Sequence, residues 1–226
     1  MKIRADFHIH THHSSDSGAS ASAIIDNARR AGLDVIGITD HNTTKGAIEV
    51  RNLANGKPST GRCGGRPLVL VGQEVRTMSG EIIVFGPEKD IPKGLTLAEA
   101  LNMARAMGGF IVVPHPFDGS RHGLGRDMAY AIEMVDAIET LNSRCLLGRA
   151  NRKAADFAHE NEIPMVAGSD AHFPEEIGSC VTEVEIEGKL TERSVLDAVA
   201  AGRTVVAGVR SGLMPHLRTS LRRLRI

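Results

Sequence analysis

The chain has 226 residues, enough for one substantial core, and no linker or low-complexity stretch divides it. Lysine plus arginine and aspartate plus glutamate both number 27, so bulk charge gives no reason to expect a nucleic-acid or membrane partner. Aromatic residues make up 3% and tryptophan is absent, which weighs against a channel on which nucleic-acid bases would stack. No apolar run approaches the roughly 20 residues of a membrane span. Asp6, His8 and His10 interrupt what would have to be a signal-peptide core. Cys63, Cys145 and Cys180 are scattered, without a C-x-x-C pair, as suits a reducing compartment. The expectation is a soluble, cytoplasmic protein.

In chain order, Ile3 to His10 reads as a strand running into a polar loop from Thr11 to Ser20, and Ser22 to Ala31 as a helix stopped by Gly32. Leu33 to Thr39 is a β-rich run that ends at Asp40-His41. Residues 55 to 67, rich in Gly, Lys, Arg and Pro, read as a solvated loop before the strand Leu68 to Gly72, which leads to Glu74. Thr96 to Met107 reads as a helix opened by a Thr96-x-x-Glu99 capping box and stopped by Gly108. Phe110 to Val113 then leads to His115, and Ala137 to Leu141 leads to Asn142 and Arg144. A helix from Leu146 to Asn161, the strand Pro164 to Asp170 and a helix from Thr191 to Ala201 follow. Alternating strands and helices predict a parallel sheet, and so many units favour a closed α/β barrel, whose strand ends gather at one face. In the tail, Leu213, Leu217, Leu221 and Leu224 share one helical face while Arg218, Arg222, Arg223 and Arg225 make the other basic. Docking of that apolar stripe on the barrel or on a second subunit is expected, ahead of contact with nucleic acid, with residues 1–212 as the barrel and 213–226 as the tail.

The chemistry-bearing residues fall just beyond these strands. They are His8-x-His10 with Asp16, Asp40-His41, Glu74, His115 between two prolines, and Asp170-x-His172. Residues i and i+2 of a strand point the same way, so His8 and His10 share a face. Neutral imidazole nitrogen with anionic oxygen suits borderline divalent metals such as zinc, manganese or iron. Singly, a buried histidine is usually a core residue and a lone carboxylate a helix cap or surface charge; their joint occurrence at strand ends points to a metal site. Asp40 reads as a partner that orients an imidazole. His12 and His13 lie outside the spacing and are expected to face solvent or support the ligands. His159 is expected on an exposed helix face and His216 in the tail. The loop Asp118 to Gly123 is the candidate for substrate contact, with Arg121 offering a planar fork for phosphate oxygens and His122 binding or protonating the substrate. Asn142 and Arg144 are expected on the same face, and Cys145 as a small buried hydrophobe.

The set DFHIHTHHSSDS (6–17), GITDHNT (37–43), GQEV (72–75), PHPF (114–117) and AGSDAH (167–172) resembles the polymerase and histidinol phosphatase (PHP) superfamily, and most closely its small stand-alone prokaryotic members. The resemblance implies a distorted (β/α)7 TIM-like barrel with two or three divalent metal ions, zinc, manganese or iron, at the C-terminal ends of the strands. It implies a phosphoesterase acting through a metal-bridging hydroxide on a small phosphorylated metabolite or nucleotide. Carried over by motif, His8, His10, Glu74 and Asp170 hold one ion, Glu74 and His115 a second, and Asp16, His41 and His172 a third. Glu74, Asp170, His172 and His122 then carry the catalysis, and Arg121, His122 and Arg144 the substrate. Where many relatives have a histidine ligand after the bridging glutamate, this chain has Glu81, which either replaces it or leaves the second ion short of a ligand. The alternatives are a nucleic-acid phosphodiesterase or exonuclease, another metal-dependent hydrolase, and a non-catalytic metal-binding regulatory module.

Overall fold

The structure is a computed structural model that describes residues 1–56 and 65–223. Most of the loop expected over 55–67, together with Cys63, lies outside the described residues, as do Leu224 and Arg225 of the tail. The first half runs β1 (Lys2–Ile9), α1 (Ala21–Arg30), β2 (Val35–Ile38), α2 (Lys45–Asn55), β3 (Leu68–Arg76), β4 (Glu81–Phe85), α3 (Leu97–Ala106) and β5 (Phe110–Val113). The second runs α4 (Met128–Ala131), β6 (Ala137–Asn142), α5 (Gly148–Glu160), β7 (Met165–Gly168), β8 (Cys180–Glu185), α6 (Glu192–Ala200), β9 (Thr204–Gly208) and α7 (Leu213–Arg223). Ser20 caps α1 by accepting from the Ala23 amide, and the Thr96–Glu99 capping box of α3 forms as its spacing predicts. Helix α2 has no side-chain cap; its buried face of Gly46, Ala47, Val50 and Ala54 accounts for it instead.

Among the described residues, nine strands form one sheet in the order β7-β6-β5-β4-β3-β2-β1-β8-β9. β1, β2 and β3 pair in parallel, as do β5, β6 and β7, while β4 runs antiparallel to both β3 and β5. The short connection after β3 leaves no room for a helical crossover, so the chain must turn straight back. β8 and β9 add an antiparallel flank beside β1. The barrel closes at its mouth, where His10 N–H donates to the Ala171 carbonyl at 2.9 Å and a bridge joins Ile9 to Ala171. The fold is the expected distorted α/β barrel, with more strands and more antiparallel pairing than seven β/α units.

Inside it, Ile3, Ala5, Phe7, Leu70, Phe85 and Val112 form one buried cluster, to which α6 adds Val195, Ala198 and Val199. Phe7 meets Phe85 edge-on with ring centroids 6.1 Å apart. Gly37 and Gly72 make room for Phe85, since a Cβ at either position would come within 2.9 Å or less of its ring. Two further clusters pack α1 and α2, and α3 and α5, on the outside of the sheet.

The tail forms the expected helix, and its apolar stripe is not laid against the barrel. Leu213, Met214, Leu217 and Leu221 are between 57% and 67% exposed. Helix α7 is held by its polar side: Arg144 Nη2 donates to Thr219 Oγ1 at 2.9 Å and to the Pro215 carbonyl at 3.3 Å, and the Arg218 guanidinium lies 3.8 Å from the Phe173 ring centroid. Arg144 itself is buried and pairs bidentately with buried Glu176, at 2.9 and 3.1 Å. This corrects the substrate role expected of Arg144, whose guanidinium is turned to Glu176 and α7. Removing one partner of a buried pair strands the other charge, so Arg144→Ala should cost roughly 3–5 kcal/mol, whereas Leu217→Ser should stay within about 0.5 kcal/mol. Urea midpoints of the two variants test this; a neutral Arg144→Ala with a costly Leu217→Ser would reverse the assignment of the two faces.

Candidate metal centre

A bulge sets the phase of β1. Ile3, Ala5 and Phe7 point into the inner cluster, but Ile9 belongs to the outer one, because the register with β2 slips between Asp6 and Ile9. The slip lets His8 and His10 follow Phe7 on the inner face, the kind of re-aiming that bulges provide beside active sites. A second slip, between Glu139 and Leu141 of β6, accompanies the placement of Glu139 and Asn142 there. His115 and Asp170 hold positive φ angles of 28° and 54°, backbone conformations that non-glycine residues adopt rarely and often at functional sites.

These elements bring the predicted residues together. His8, His10, Asp16, Glu74, His115, Asp170 and His172 are all buried, and His41 is 25% exposed. His8 Nε2 lies 3.5 Å from Glu74 Oε1 and 3.7 Å from Asp170 Oδ1; His10 Nε2 lies 3.6 Å from Glu74 Oε2 and 3.4 Å from Asp170 Oδ1. Glu74 faces both ways, with Oε1 3.3 Å from His115 Nε2 and Oε2 2.8 Å from His41 Nδ1. Asp16 reaches His41 Nε2 at 3.5 Å and His172 Nε2 at 3.3 Å.

An outer ring of hydrogen bonds fixes three imidazoles by their Nδ1 atoms. His8 Nδ1–H donates to Glu139 Oε1 at 3.0 Å and His172 Nδ1–H to the Asp170 carbonyl at 2.8 Å. Ser14 Oγ donates to Asp40 Oδ1 at 2.6 Å and therefore accepts from His10 Nδ1–H at 3.1 Å. Asp40 thus orients an imidazole as expected, although through Ser14. All three Nε2 atoms are left facing inward, and those of His8 and His10 are only 3.1 Å apart. Two imidazole lone pairs at that distance need a positive bridge, either a proton or a metal ion. The separation is close to the edge of about 3.3 Å that two nitrogens make around tetrahedral zinc at 2.0–2.1 Å. Among the described residues, Glu74 Oε1, Asp170 Oδ1 and both ring nitrogens of His115 are buried and meet no hydrogen bond of good geometry, a cost that coordination would remove. The donor set therefore fits divalent metal.

Electrostatics follows the same geometry. Burial disfavours the His8 imidazolium, but the carboxylates of Asp170, Glu139 and Glu74 outweigh it and hold its pKa well above the ordinary value. Burial also opposes charge on His41 and His115, and there too neighbouring carboxylates, Glu74 foremost, raise the pKa. For His10, burial and the nearby His172 and His41 win, lowering it to about 4. Glu74 and Asp170 stay well below the carboxylate range despite burial, Glu74 through His8 and His41 and Asp170 through Arg121 and His8.

Glu81 is not an ordinary surface residue. It is buried, its carboxylate groups with His41 and Glu74, and Arg76 Nη1 pairs with it at 3.1 Å. Burial and the charge of Glu74 push its pKa up to about 7. Arg121 reaches in from its loop to contact Asp170 and donates to Asn142 Oδ1 at 3.2 Å, so it is at the centre and not on a detached loop. His122 is exposed, with φ 59°, and its carbonyl accepts from the Glu81 amide at 3.1 Å. Asn142 Nδ2 donates to Asp170 Oδ2 at 3.0 Å and to Glu139 Oε2 at 2.9 Å. His12 and His13 face solvent beside Glu49, His159 is exposed on α5, and His216 is partly buried on α7. Cys145 is buried, and burial raises its thiol pKa. Sequence reasoning missed Glu139, whose signal was a lone carboxylate inside an apolar strand, and Ser14, which carries no signal of its own.

The class this defines is a distorted barrel with a histidine–carboxylate centre at its mouth, and the comparisons name the family. The PHP domain model matches residues 6–110 and the PHP-associated model residues 148–204. An uncharacterized protein of Methanocaldococcus jannaschii is 32% identical over 151 residues, 62% of this chain and 82% of that protein. The chain belongs to the PHP family. In fold it is similar to a two-domain protein from Bacteroides vulgatus containing a predicted PHP-like metal-dependent phosphoesterase (TM-score 0.76, 18% identity, 98% of this chain and 70% of the other). It is also similar to endonuclease Q bound to a 27-mer duplex with an abasic lesion at the active site (TM-score 0.69, 20% identity, 93% and 60%).

Imidazoles must be neutral to ligate metal, so protons on His8, His41 and His115 compete with it. Because their pKa values are raised, metal affinity should keep climbing as pH rises beyond 6.5, and fall as pH drops through them; His10 and His172, whose pKa values are lowered, add little to this. Titration calorimetry in buffers of different ionisation enthalpy should detect proton release. Uptake with no proton release and an affinity flat above pH 6.5 would contradict this electrostatic account.

Proposed function

We propose that this protein hydrolyses phosphate esters of a small metabolite or nucleotide with two or three divalent ions held by its barrel-mouth centre. The observation that carries the reading is the pair of inward-facing Nε2 atoms of His8 and His10, 3.1 Å apart between Glu74 and Asp170. His8, His10, Glu74 and Asp170 would hold the first ion. Glu74 and His115 would hold the second, with Glu81 as an added oxygen ligand on the side of His41, and Asp16, His41 and His172 the third. The two oxygens of Glu74 face different imidazoles, as a bridging carboxylate requires. Bound divalent ions supply a nucleophile by lowering the pKa of water, and they neutralise charge on the phosphoryl oxygens.

The chain's own groups do the rest. Glu139, Ser14 and the Asp170 carbonyl hold the imidazoles in the tautomer that presents Nε2. Arg121, whose fork reaches Asp170, takes non-reacting phosphate oxygens, and His122 beside it in the chain donates a proton to the leaving oxygen. Balanced charge and the scarcity of aromatic residues favour a small substrate. The likeness to endonuclease Q supports a second reading, a nucleic-acid phosphodiester substrate.

Phosphate release from a panel of phosphorylated metabolites and short oligonucleotides, with manganese-, zinc- and iron-loaded protein, tests the proposal. Activity should vanish on chelation and in Glu74→Gln and Asp170→Asn. Arg121→Ala should weaken phosphate binding by about 1.5–3 kcal/mol while metal content holds. Full activity after chelation would refute metal-dependent catalysis, and turnover confined to oligonucleotides would favour the second reading.

A further inference from the structure

Beside the metal centre the barrel mouth carries a cavity of about 730 Å³, walled by Phe117, Leu146, Leu147, Ala150 and Leu213, with Arg149 and the turn Asp118 to Ser120 at its edges. Its walls come from the loop after β5, the loop and first turn of α5 after β6, and the segment that leads into α7, so it opens at the same end of the barrel as the ligands. It also shares a partition with them. Arg121, which follows Ser120 in the chain, contacts Asp170 and Asn142, and from Asn142 the backbone runs through Cys145 to Leu146.

Both serines in this wall are already committed, which leaves Arg149, at the exposed edge, and the Asp118 carboxylate as its other polar side chains. Ser120 Oγ donates to Asp118 Oδ1 at 2.6 Å, and the same oxygen accepts from the Ser120 amide at 3.1 Å. Ser211 Oγ donates to the Ser143 carbonyl at 3.1 Å. A polyhydroxylated sugar entering here would give up hydrogen bonds to water and find few replacements. An aromatic group would give up none, and would gain burial against the leucines and Phe117. Phe117 is steadied for that role, edge-on to Phe157 at 5.5 Å and with Lys153 Nζ 4.4 Å from its ring centroid. The cavity is within the range of about 300–1,000 Å³ typical of small-molecule sites.

We propose that this cavity binds the organic part of the phosphoester, and that this part is aromatic. The proposal rests on the phosphoesterase reading above and deepens it. In the reaction, water oxygen bonds to phosphorus, the P–O bond to the organic group breaks, and the departing oxygen takes a proton while its ring stays in the cavity.

The test compares 1-naphthyl phosphate with glycerol 2-phosphate on the metal-loaded full chain. Ala150→Trp, in the first turn of α5, fills the cavity, and Leu147→Asp, at an exposed position of its rim, makes it polar. Each should raise KM for naphthyl phosphate by about tenfold or more with little change in kcat, and leave glycerol phosphate kinetics and metal stoichiometry as in the parent. Equal effects on both substrates, or none on either, would overturn the proposal while the phosphoesterase reading stands. Should the parent protein hydrolyse neither, the panel of phosphorylated metabolites and oligonucleotides decides that reading, and binding of 1-naphthol followed by its fluorescence decides the cavity alone. Binding that Ala150→Trp abolishes would support the cavity assignment; absence of binding to the parent would overturn it.

Discussion

The Nε2 atoms of His8 and His10, both buried, face each other across 3.1 Å, and much of the surrounding structure serves to keep them there. A lone pair set against a lone pair is repulsive, so the arrangement is stable only with positive charge between them. Glu74 and Asp170 supply the compensating negative charge, and their own burial is offset by His8 and His41 beside Glu74 and by Arg121 and His8 beside Asp170. A site of this kind opposes folding until it is filled, and metal that binds only the folded chain repays that deficit in proportion to RT ln(1 + [L]/Kd).

Holding the ligands in place requires more than the ligands. Glu139 fixes the His8 ring from one side and takes the His115 amide and the Asn142 side chain from the other. Gly168 permits that contact, because a Cβ there would come 2.4 Å from His8 Cβ and 2.5 Å from Glu139 Oε1. Farther out, Glu176 accepts from the backbone amides of His172 and Phe173 while pairing with Arg144, which in turn holds α7. The terminal helix is thereby linked to the loop that carries Asp170 and His172. Its polar side does the holding, and its leucines are left outward.

The strand-end ligands were legible because period-two spacing and the apolar runs before them survive folding unchanged. The capping box of α3 and the glycine stops were legible for a similar reason: they are local. What depended on tertiary structure was hidden. Helix α2 has Gly46 in its first turn and no side-chain cap, and it forms through packing; Gly46 is small because a Cβ would strike Asp40 Oδ2 and Thr11 Oγ1. The bulge in β1 leaves no composition mark, so the shared face of His8 and His10 was deduced from a regular strand when in fact the strand slips just before them. Antiparallel β4, β8 and β9 escaped a reading tuned to β/α alternation. Arg144 looked like a phosphate ligand because it follows a strand, and only its buried partner Glu176, 32 residues away, shows otherwise.

Anomalous diffraction at the absorption edge of the bound metal tests the central claim most directly. Crystals of metal-loaded protein should show a peak enclosed by His8, His10, Glu74 and Asp170, at about 2.0–2.1 Å from both Nε2 atoms if the metal is zinc. A further peak should lie on the far side of Glu74. At saturating metal, an empty space between His8 and His10, or a peak only at a surface group such as His12, His13 and Glu49, would contradict the account.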